Sequence, residues 1–406
     1  MPPSDSVLNR IRIHNLNWSK ILGVDTFRFE RNPDWVNYSL RSADYRSATL
    51  GMMRFLLRDL FRYRDELESL DPANKPHFLF FKSLNRPDYD EFFNAVSSRV
   101  QSEGVVQVVA NNRTQRLNWS AYWLFLRHVF ALVHLTRRLG SFKALYFYTK
   151  IVRYLCVLRR LKTIHPKAVV VFADMHPLDN LVSQYYGQKG TPTATLQHGL
   201  YVDYGDEHTV NRLNYSNVVS NYFLSWGTNT SNIIMRHNAG VKTIICGKPT
   251  LRDELKIDKN AGYFTVLFDQ KIYTDQNQRL LDIAAAIAVK FNLKVALKLH
   301  PTTKRAHYRF DVELEAPTDT DWEKSRFCIG HSTSMIYEML RRGMPVFKLK
   351  TDVPGHALPE AFSFSTAEEL MSKLNQDVDP VENGQEFVKY IGAESLNQYA
   401  KALKSL

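Results

Sequence analysis

The sequence predicts an α/β protein of two domains, each built on a parallel β-sheet with helices in its connections. The length of 406 residues exceeds the size at which a single hydrophobic core usually stops growing. In both halves of the chain, short apolar runs alternate with longer periodic segments, and this β-α-β order is typical of parallel sheets. A polar break at Gly247–Thr250 separates the two series.

The first domain is placed at residues 1–250. Its first 75 residues are rich in arginine and aromatic residues and predict helices, for example over Tyr45–Arg64. From residue 77 onward, apolar runs bounded by turn residues predict strands, and the periodic segments between them predict helices. The predicted strands are His77–Phe81, Val105–Val109, Ala168–Phe172, Ala194–Leu196, Tyr222–Ser225 and Lys242–Cys246, and the predicted helices are Tyr89–Val100, Leu178–Tyr186 and Asn229–Ala239.

The second domain is placed at residues 251–385, where a polar segment, Arg252–Asn260, is typical of a linker. The same alternation then begins again. The predicted strands are Tyr263–Phe268, Lys294–Leu299, Phe327–Gly330 and Pro345–Lys348, and the predicted helices are Asp275–Phe291, Ser334–Arg342 and Ala367–Asn375. A last helix is predicted over Glu386–Leu406, and we expect residues 386–406 to cross back and brace the first domain.

A basic and aromatic helical insertion is predicted at about residues 111–165 of the first domain. From Gly104 to Ala173 there is no Asp or Glu, whereas twelve Lys and Arg residues occur, a number equal to the formal net charge of +12. Cations and aromatic rings on helices are typical of contact with an anionic membrane surface. A polyanionic glycan, or packed helices with solvated basic faces, fits the same pattern. Nucleic acid ranks last, because no nucleic-acid-binding motif accompanies the charge.

The composition excludes several classes of protein. Hydrophobic residues make up 44% and charged residues 23%, as in soluble globular proteins. No apolar stretch approaches the roughly 20 residues of a membrane span. The first residues show no secretory signal, so we expect a cytoplasmic protein. Cys156, Cys246 and Cys328 lie far apart, which argues against a disulfide framework or a thiolate zinc site.

Polar residues stand directly after seven of the predicted strands. In open parallel sheets, ligands bind beyond the carboxyl ends of the strands. The segments are Asp174-Met175-His176-Pro177, Gln197-His198-Gly199, Trp226-Gly227-Thr228, Gly247-Lys248-Pro249, Asp269-Gln270, His300-Pro301 and His331-Ser332-Thr333-Ser334. We therefore expect a ligand cleft lined by these segments.

The segment Cys328–Phe347 predicts the most informative part of the site. Here strand, hydroxyl-rich loop, helix, glycine, proline and strand follow one another. The hydroxyl and backbone N–H groups of residues 332–334, which are Ser332, Thr333 and Ser334, would lie at a helix N-terminus, which favours a phosphate. Glu338, one helical turn further on, would reach a ribose hydroxyl. The alternative is that Ser332 or Thr333 only caps the helix.

Two histidines are the candidates for the chemical step. His300 ends a strand, where its ring would hydrogen-bond a donor phosphate and stabilise the leaving nucleotide. The alternative is a histidine satisfied in a turn before proline. His198 is the candidate general base, because an ordinary imidazole pKa of about 6.5 suits proton transfer at neutral pH. The alternative is that His198 only braces its turn.

Five further residues complete the candidate site. Asp174 and Asp203 are rivals of His198 as the base. Lys248, on the crossover between the domains, would offset phosphate charge, and the alternative is an exposed linker lysine. Gln270 and His331 follow strands of the second domain and are added to the donor-binding residues.

These motifs together resemble the GT-B glycosyltransferases of bacterial capsule, lipopolysaccharide and teichoic-acid synthesis. The similarity runs from about Ala168 to Lys348. It is carried by Asp174…His176-Pro177, Gly190-Thr-Pro-Thr193…Leu196-Gln-His-Gly199, Gly247-Lys248-Pro249, Lys298-Leu-His-Pro301 and His331-Ser-Thr-Ser334…Glu338…Gly343-Met-Pro345. In bacterial sialyl- and Kdo-transferases of this fold, a His-Pro histidine and a serine-rich loop hold the phosphate of a CMP-sugar. The resemblance thus implies that role for His300 and for Ser332–Ser334.

The resemblance to polyol-phosphate polymerases implies that His198, in its His-Gly pair, is the base and that His300 is the His-Pro histidine. Those polymerases usually carry an Asp-Tyr-Ser-Ser type of loop where this chain has residues 331–334, and the acidic pair of sialyltransferases is not found securely. The implied fold is GT-B, with two Rossmann-like domains that face a central cleft.

The expected activity is an inverting glycosyl transfer without a metal or another cofactor. The donor would be a nucleotide-sugar, with a CMP-sugar favoured, and the acceptor a growing bacterial surface polysaccharide or a lipid-linked oligosaccharide at the inner face of the plasma membrane. The alternatives are a CDP-polyol phosphotransferase of teichoic-acid or capsule type and a non-catalytic scaffold that binds glycan or membrane. A nucleotide-sugar epimerase is disfavoured, because the basic insertion suits a large or membrane-borne acceptor.

Overall fold

The computed structural model describes residues 76–84, 86–109, 119–130, 133, 152, 154–203, 215, 218–251, 254–255, 257–301, 303–353, 355–374 and 379–406. The predicted helix Tyr45–Arg64, the rest of residues 1–75 and most of the predicted insertion at 111–165 lie outside these residues. Within the described ranges, no helix combines the length and the apolar character needed to cross a membrane.

The described part of the first domain contains a parallel sheet of six strands in the order β2-β1-β3-β4-β5-β6. The strands are β1 (Phe78–Lys82), β2 (Val105–Val109), β3 (Ala168–Val171), β4 (Thr193–Leu196), β5 (Tyr222–Ser225) and β6 (Lys242–Ile245). The helices are α1 (Pro87–Arg99), α2 (Trp119–Arg127), α3 (Pro177–Gly187) and α4 (Thr228–His237). β1, β3 and β4 are buried at every residue, as expected of parallel strands covered on both faces.

Two of these helices begin at residues that the sequence makes suitable for a helix start. α1 and α3 both have proline in the first turn, where the missing N–H costs no hydrogen bond. Asp88 and Asp90 in the first turn of α1, and Asp179 in that of α3, favour the positive end of the helix dipole. These starts place the turns after β1 and β3 at the carboxyl edge of the sheet.

The described part of the second domain contains a parallel sheet of five strands in the order β11-β10-β9-β7-β8. The strands are β7 (Tyr263–Leu267), β8 (Lys294–Lys298), β9 (Cys328–Gly330), β10 (Val346–Leu349) and β11 (Ser363–Phe364). The helices are α5 (Thr274–Phe291), α6 (Met335–Arg341), α7 (Ala367–Lys373), α8 (Pro380–Gln385) and α9 (Gly392–Lys404). The predicted α/β class with two parallel sheets is confirmed, and β11 and α8 are additions that the sequence did not predict.

The C-terminal helix α9 packs against α1 of the first domain. The Tyr399 and Phe92 rings lie 5.7 Å apart, and the Tyr399 hydroxyl donates to the Gly247 carbonyl over 3.1 Å. The Ser395 hydroxyl donates to the Cys246 carbonyl over 2.8 Å. The end of the chain is thus attached to the carboxyl edge of β6.

The single helix predicted over Glu386–Leu406 is wrong in its first part, because α9 begins only at Gly392. Residues 386–391, which precede α9, are instead hydrogen-bonded to the first domain. The Lys389 N–H donates to the Trp226 carbonyl over 2.9 Å, and the Lys248 N–H donates to the Tyr390 carbonyl over 2.9 Å. These bonds between distant segments compete with the helix, and the sequence pattern of one segment does not show them.

Candidate active site

The carboxyl edges of the two sheets face each other across a cleft. In each sheet, the chain turns in opposite directions after two neighbouring strands, β1 and β3 in the first and β7 and β9 in the second. Such switch points are where ligands bind in open α/β sheets. Arg86, after β1, is close enough to His198 and to His300 that its charge lowers the pKa of both. The two predicted histidines therefore converge on one cleft.

His198 lies at the first-domain side of the cleft, two residues after β4. It is half-buried, and its Nδ1 is 3.4 Å from the Tyr201 hydroxyl. The rings of His176 and Tyr89 lie 5.8 and 6.1 Å from the His198 ring. Burial, with smaller contributions from His176 and Arg86, lowers the pKa of His198 to about 3. The ring is therefore uncharged at neutral pH and keeps a lone pair that can accept a proton.

The turn that carries His198 is fixed by Gln197, which is fully buried. Its side-chain amide donates to the Gly199 carbonyl over 2.7 Å and to the Thr230 hydroxyl over 3.1 Å. Its oxygen accepts the Trp226 N–H over 2.7 Å. Since every polar atom of this amide has a partner, Gln197 positions His198 relative to β5.

The two carboxylates predicted as rival bases have partners in the first domain. Asp174 is buried and accepts the N–H groups of Val219 and Ser220 over 2.9 and 2.8 Å. Burial raises the pKa of Asp174, and these hydrogen bonds oppose the rise. Asp203 pairs with Arg236 near the end of α4. His198, in contrast, lies among the aromatic rings at the cleft.

The second-domain side contains a buried polar network after β7 and β9. The Asn277 side-chain oxygen accepts the Asp269 N–H over 3.1 Å and lies 3.0 Å from Nε2 of His331. The Ser332 hydroxyl donates to the Asp269 carboxylate and lies 2.9 Å from Nδ1 of His331. Burial lowers the pKa of His331, and Asp269 opposes this change. His331 is thus a buried support for Ser332.

His300 follows β8 and is half-buried beside this network. Its carbonyl accepts the N–H and the hydroxyl of Thr303, both over 2.8 Å, so that its backbone is held in place. Burial lowers the pKa of His300, Asp269 opposes this change and Arg86 adds to it. Gln270, also predicted for the donor site, is exposed at the same edge, and its N–H donates to Asp269 over 2.6 Å.

Glu338 and Lys248, which were predicted to contact the donor ribose and phosphate, contact each other in this structure. The two side chains form an ion pair of 2.7 Å between the domains, with 10% of Glu338 and 18% of Lys248 exposed. The Ser334 hydroxyl donates to Glu338 over 3.1 Å, and the Lys248 ammonium lies 4.6 Å from the Trp226 ring centre. Each charge therefore has a partner at the interface between the domains, and the contacts of both residues with the donor stay predictions.

The helix after the hydroxyl loop is short. α6 spans seven residues, and Thr333 and Ser334 precede it. Thr333 is buried, and its hydroxyl lies 3.5 Å from the Met335 N–H as a weak cap. Of the three loop hydroxyls, Ser332 is the one that lies beside Asp269 and the cleft histidines.

Three cleft residues were not predicted as site residues. Arg86 stacks on the Tyr89 ring at 4.2 Å and pairs with Asp88 at 2.7 Å. Lys348, near the end of β10, donates to the His356 carbonyl, and the His356 ring contacts the Tyr201 backbone across the cleft. Arg86 lies in the turn after β1, four residues beyond Lys82, so a search of the whole turn after each strand would have found it.

Comparison with known proteins gives structural similarity alone. No known family model matches the chain, and no curated protein matches its sequence. Among solved structures, UDP-GlcNAc 2-epimerase from Methanocaldococcus jannaschii is 14% identical, covers 81% of this chain and 100% of its own, and has a TM-score of 0.46. The Rickettsia bellii UDP-N-acetylglucosamine 2-epimerase is 13% identical, with coverage of 81% and 96% and a TM-score of 0.47. The glycotransferase of kitacinnamycin is 9% identical, with coverage of 82% and 98% and a TM-score of 0.46. Since each TM-score lies below 0.5, no residue role is transferred from these proteins.

Among the described residues, no group of three or more His, Cys, Asp or Glu side chains is arranged to hold a metal ion. The cleft contains the uncharged imidazoles of His198 and His300, the hydroxyl of Ser332, and the cationic side chains of Arg86 and Lys348. Such groups can hold a phosphate and accept a proton.

Proposed function

We propose that this protein is an inverting glycosyltransferase of the GT-B type that uses a nucleotide-sugar, with a CMP-sugar favoured. The observation that carries the proposal is the convergence of His198 from one domain with His300 and Ser332 from the other. His198 is an uncharged base beside aromatic rings, the surroundings that an acceptor sugar requires. His300 and Ser332, at the opposite edge of the cleft, can donate hydrogen bonds to a phosphate.

In the proposed reaction, His198 accepts the proton of the acceptor hydroxyl while its oxygen attacks the anomeric carbon. The new bond between carbon and oxygen forms as the bond from the anomeric carbon to the donor phosphate breaks. The bonding electron pair leaves with the phosphate oxygen. His300 stabilises the charge that develops there, and Ser332 contributes once its hydroxyl proton turns from Asp269 to the phosphate, so that this reaction needs no metal. Closure of the two domains excludes water from the reacting atoms.

A nucleotide screen tests the proposal. We would measure thermal unfolding of the full-length protein with CMP, CDP, UDP, GDP and dTDP, since a ligand at 100 times its dissociation constant stabilises by about 2.7 kcal/mol. A selective shift that His300→Ala abolishes supports the donor site. The matched variant His198→Ala should keep nucleotide binding and lose transfer. The opposite pattern in the two variants would refute the assigned roles.

The product separates glycosyl transfer from polyol-phosphate transfer, which would use the same phosphate contacts for attack at phosphorus. Mass spectrometry of the product and the released nucleotide distinguishes a transferred sugar from a transferred polyol phosphate. If none of the five nucleotides binds, with or without an acceptor glycan, the scaffold hypothesis replaces the enzyme hypothesis.

We further propose that α2 brings the protein to an anionic membrane that carries a lipid-linked acceptor. The apolar side chains Trp119, Trp123 and Leu126 of α2 recur at intervals of four and three, which places them on one helical face, and Phe130 and Val133 follow beyond the helix end at Arg127. All are exposed, Trp119 by 78% and Phe130 by 84%. The surrounding sequence, from Gly104 to Ala173, has twelve cationic and no acidic side chains. Apolar and aromatic residues next to cations bind anionic lipid surfaces.

A further inference from the structure

Lys348 is a half-buried lysine for which the structure shows no carboxylate partner. Its ammonium donates to the His356 carbonyl, and within the described ranges no Asp or Glu forms an ion pair with it. Lys350, two residues further on, is exposed and pairs with Glu360 at 2.8 Å. Burial lowers the pKa of Lys348, because the charged form loses hydration. An uncompensated charge in such a place is costly unless a ligand balances it.

The ammonium of Lys348 lies in a narrow space bounded by Ser332 and Gly355. A Cβ atom built on Gly355 would lie 3.1 Å from Nζ of Lys348 and 3.9 Å from Cβ of Ser332. The absence of a side chain at residue 355 thus leaves room directly next to the ammonium. The charge of Lys348 also lowers the pKa of His331 and of His356, which places it within the polar cluster of the second domain.

Contacts link the Lys348 ammonium to the first domain. His356, whose carbonyl holds the Lys348 ammonium, contacts the Tyr201 backbone with its ring. The Tyr201 hydroxyl in turn lies 3.4 Å from Nδ1 of His198. A continuous chain of contacts therefore joins Lys348 to the candidate base.

We propose that Lys348 binds the phosphate of the activated donor, together with the Ser332 hydroxyl, in a cradle that Gly355 keeps open. The inference rests on the proposed function and adds the cation that a phosphate leaving group requires. Its ligand is the phosphate and not the nucleoside part of the donor. The ammonium also balances the charge on the leaving oxygen as the anomeric bond breaks.

Isothermal titration calorimetry with a nucleotide and its nucleoside tests this assignment. The probes are the nucleotide selected in the thermal screen and the same nucleoside without phosphate, titrated into wild type, Lys348→Met and the control Lys350→Met. We expect Lys348→Met to weaken nucleotide binding by roughly tenfold or more, as for a lost hydrogen bond to a charged group. Nucleoside binding should stay the same, and Lys350→Met should change neither.

Thermal unfolding without ligand distinguishes binding from a structural role. Lys348→Met removes a half-buried charge that has no carboxylate partner among the described residues, so the unfolding midpoint of this variant should equal or exceed that of wild type. If it fails to fold, Gly355→Ala takes its place, because the added Cβ displaces the ammonium and should weaken nucleotide binding selectively. Wild-type nucleotide affinity in either folded variant would overturn the inference while the proposed function stands. Failure of the wild type itself to bind any nucleotide would remove both.

Discussion

Acidification from pH 8 to pH 5 should destabilise this protein through two histidines of the cleft. Burial, with smaller charge effects, lowers the pKa of His198 to about 3 and that of His356 to about 4. In the unfolded chain both have a pKa of about 6.5. The folded state therefore binds fewer protons than the unfolded state between these values, and stability falls as the pH decreases below about 6.5.

The magnitude follows from the two pKa values of each group. Above pH 6.5 both states are neutral, and the contribution is constant. At pH 5 the unfolded imidazole is mostly protonated and the folded one is not, which costs about 2 kcal/mol for each histidine. For both together we expect a loss of about 4 kcal/mol, a large fraction of the stability of an ordinary domain.

Urea unfolding at pH 8, 6 and 5 would measure this loss in wild type, in His356→Asn and in the control His165→Asn. His165 is exposed and lies away from the cleft elements, in the turn before β3. The variant at residue 356 should lose about 2 kcal/mol less than wild type between pH 8 and pH 5, whereas the control should follow wild type. Equal pH dependence in all three proteins would refute the account.

Three further predictions concern the domain interface, the C-terminal segment and α2. Glu338→Gln leaves Lys248 without its partner and should lower the free energy of unfolding by about 3 kcal/mol, a loss that the double variant with Lys248→Met should largely reverse. Gly247→Ala should destabilise the protein by more than about 2 kcal/mol, because φ is +82° and the new Cβ would lie 2.0 Å from the Tyr390 carbonyl oxygen. Its control in the same unfolding assay is Gly240→Ala, where the new Cβ would lie 3.7 Å from the Asn238 side-chain oxygen, an ordinary contact distance. Trp123→Ser should reduce co-sedimentation with phosphatidylglycerol vesicles by roughly tenfold and leave binding to pure phosphatidylcholine weak, and unchanged sedimentation would exclude α2 as the contact.

The sequence was sufficient to predict ten of the eleven strands in the described sheets, all but β11, because their signals are local. β1 and β3 are uninterrupted apolar runs between turn residues, and their observed ends differ from the predicted ones by one residue. The meeting of His300 with Ser332 followed from topology, since residues after parallel strands of one sheet lie at one edge, and His198 was expected to face them from the edge of the other sheet. For these residues, a pattern within a few neighbours was enough.

The partners of the charged residues could not be predicted in the same way. Lys248 and Glu338 are 90 positions apart, and their pairing depends on how the two domains meet. Lys348 lies in a strand buried on both faces, so alternation along the sequence does not show that its ammonium reaches the carboxyl edge. The lowered pKa of His198 also depends on burial by distant elements, and an ordinary pKa of about 6.5 was the natural assumption.

The lowered pKa of His198 gives a physical reason why donor binding would precede activation of the acceptor. A ring with a pKa of about 3 is a weak base while the cleft holds no anion, and the charge of Arg86 contributes to that value. A donor phosphate beside Arg86 and Lys348 would offset the positive potential and raise the pKa of His198. Donor binding would then improve the base, so that the acceptor is activated only when the donor is in place. The same linkage requires proton uptake on nucleotide binding near pH 5, which calorimetry in buffers of different ionisation enthalpy measures directly. Binding without proton uptake at that pH would contradict the coupling and leave His198 with a fixed, weakly basic ring.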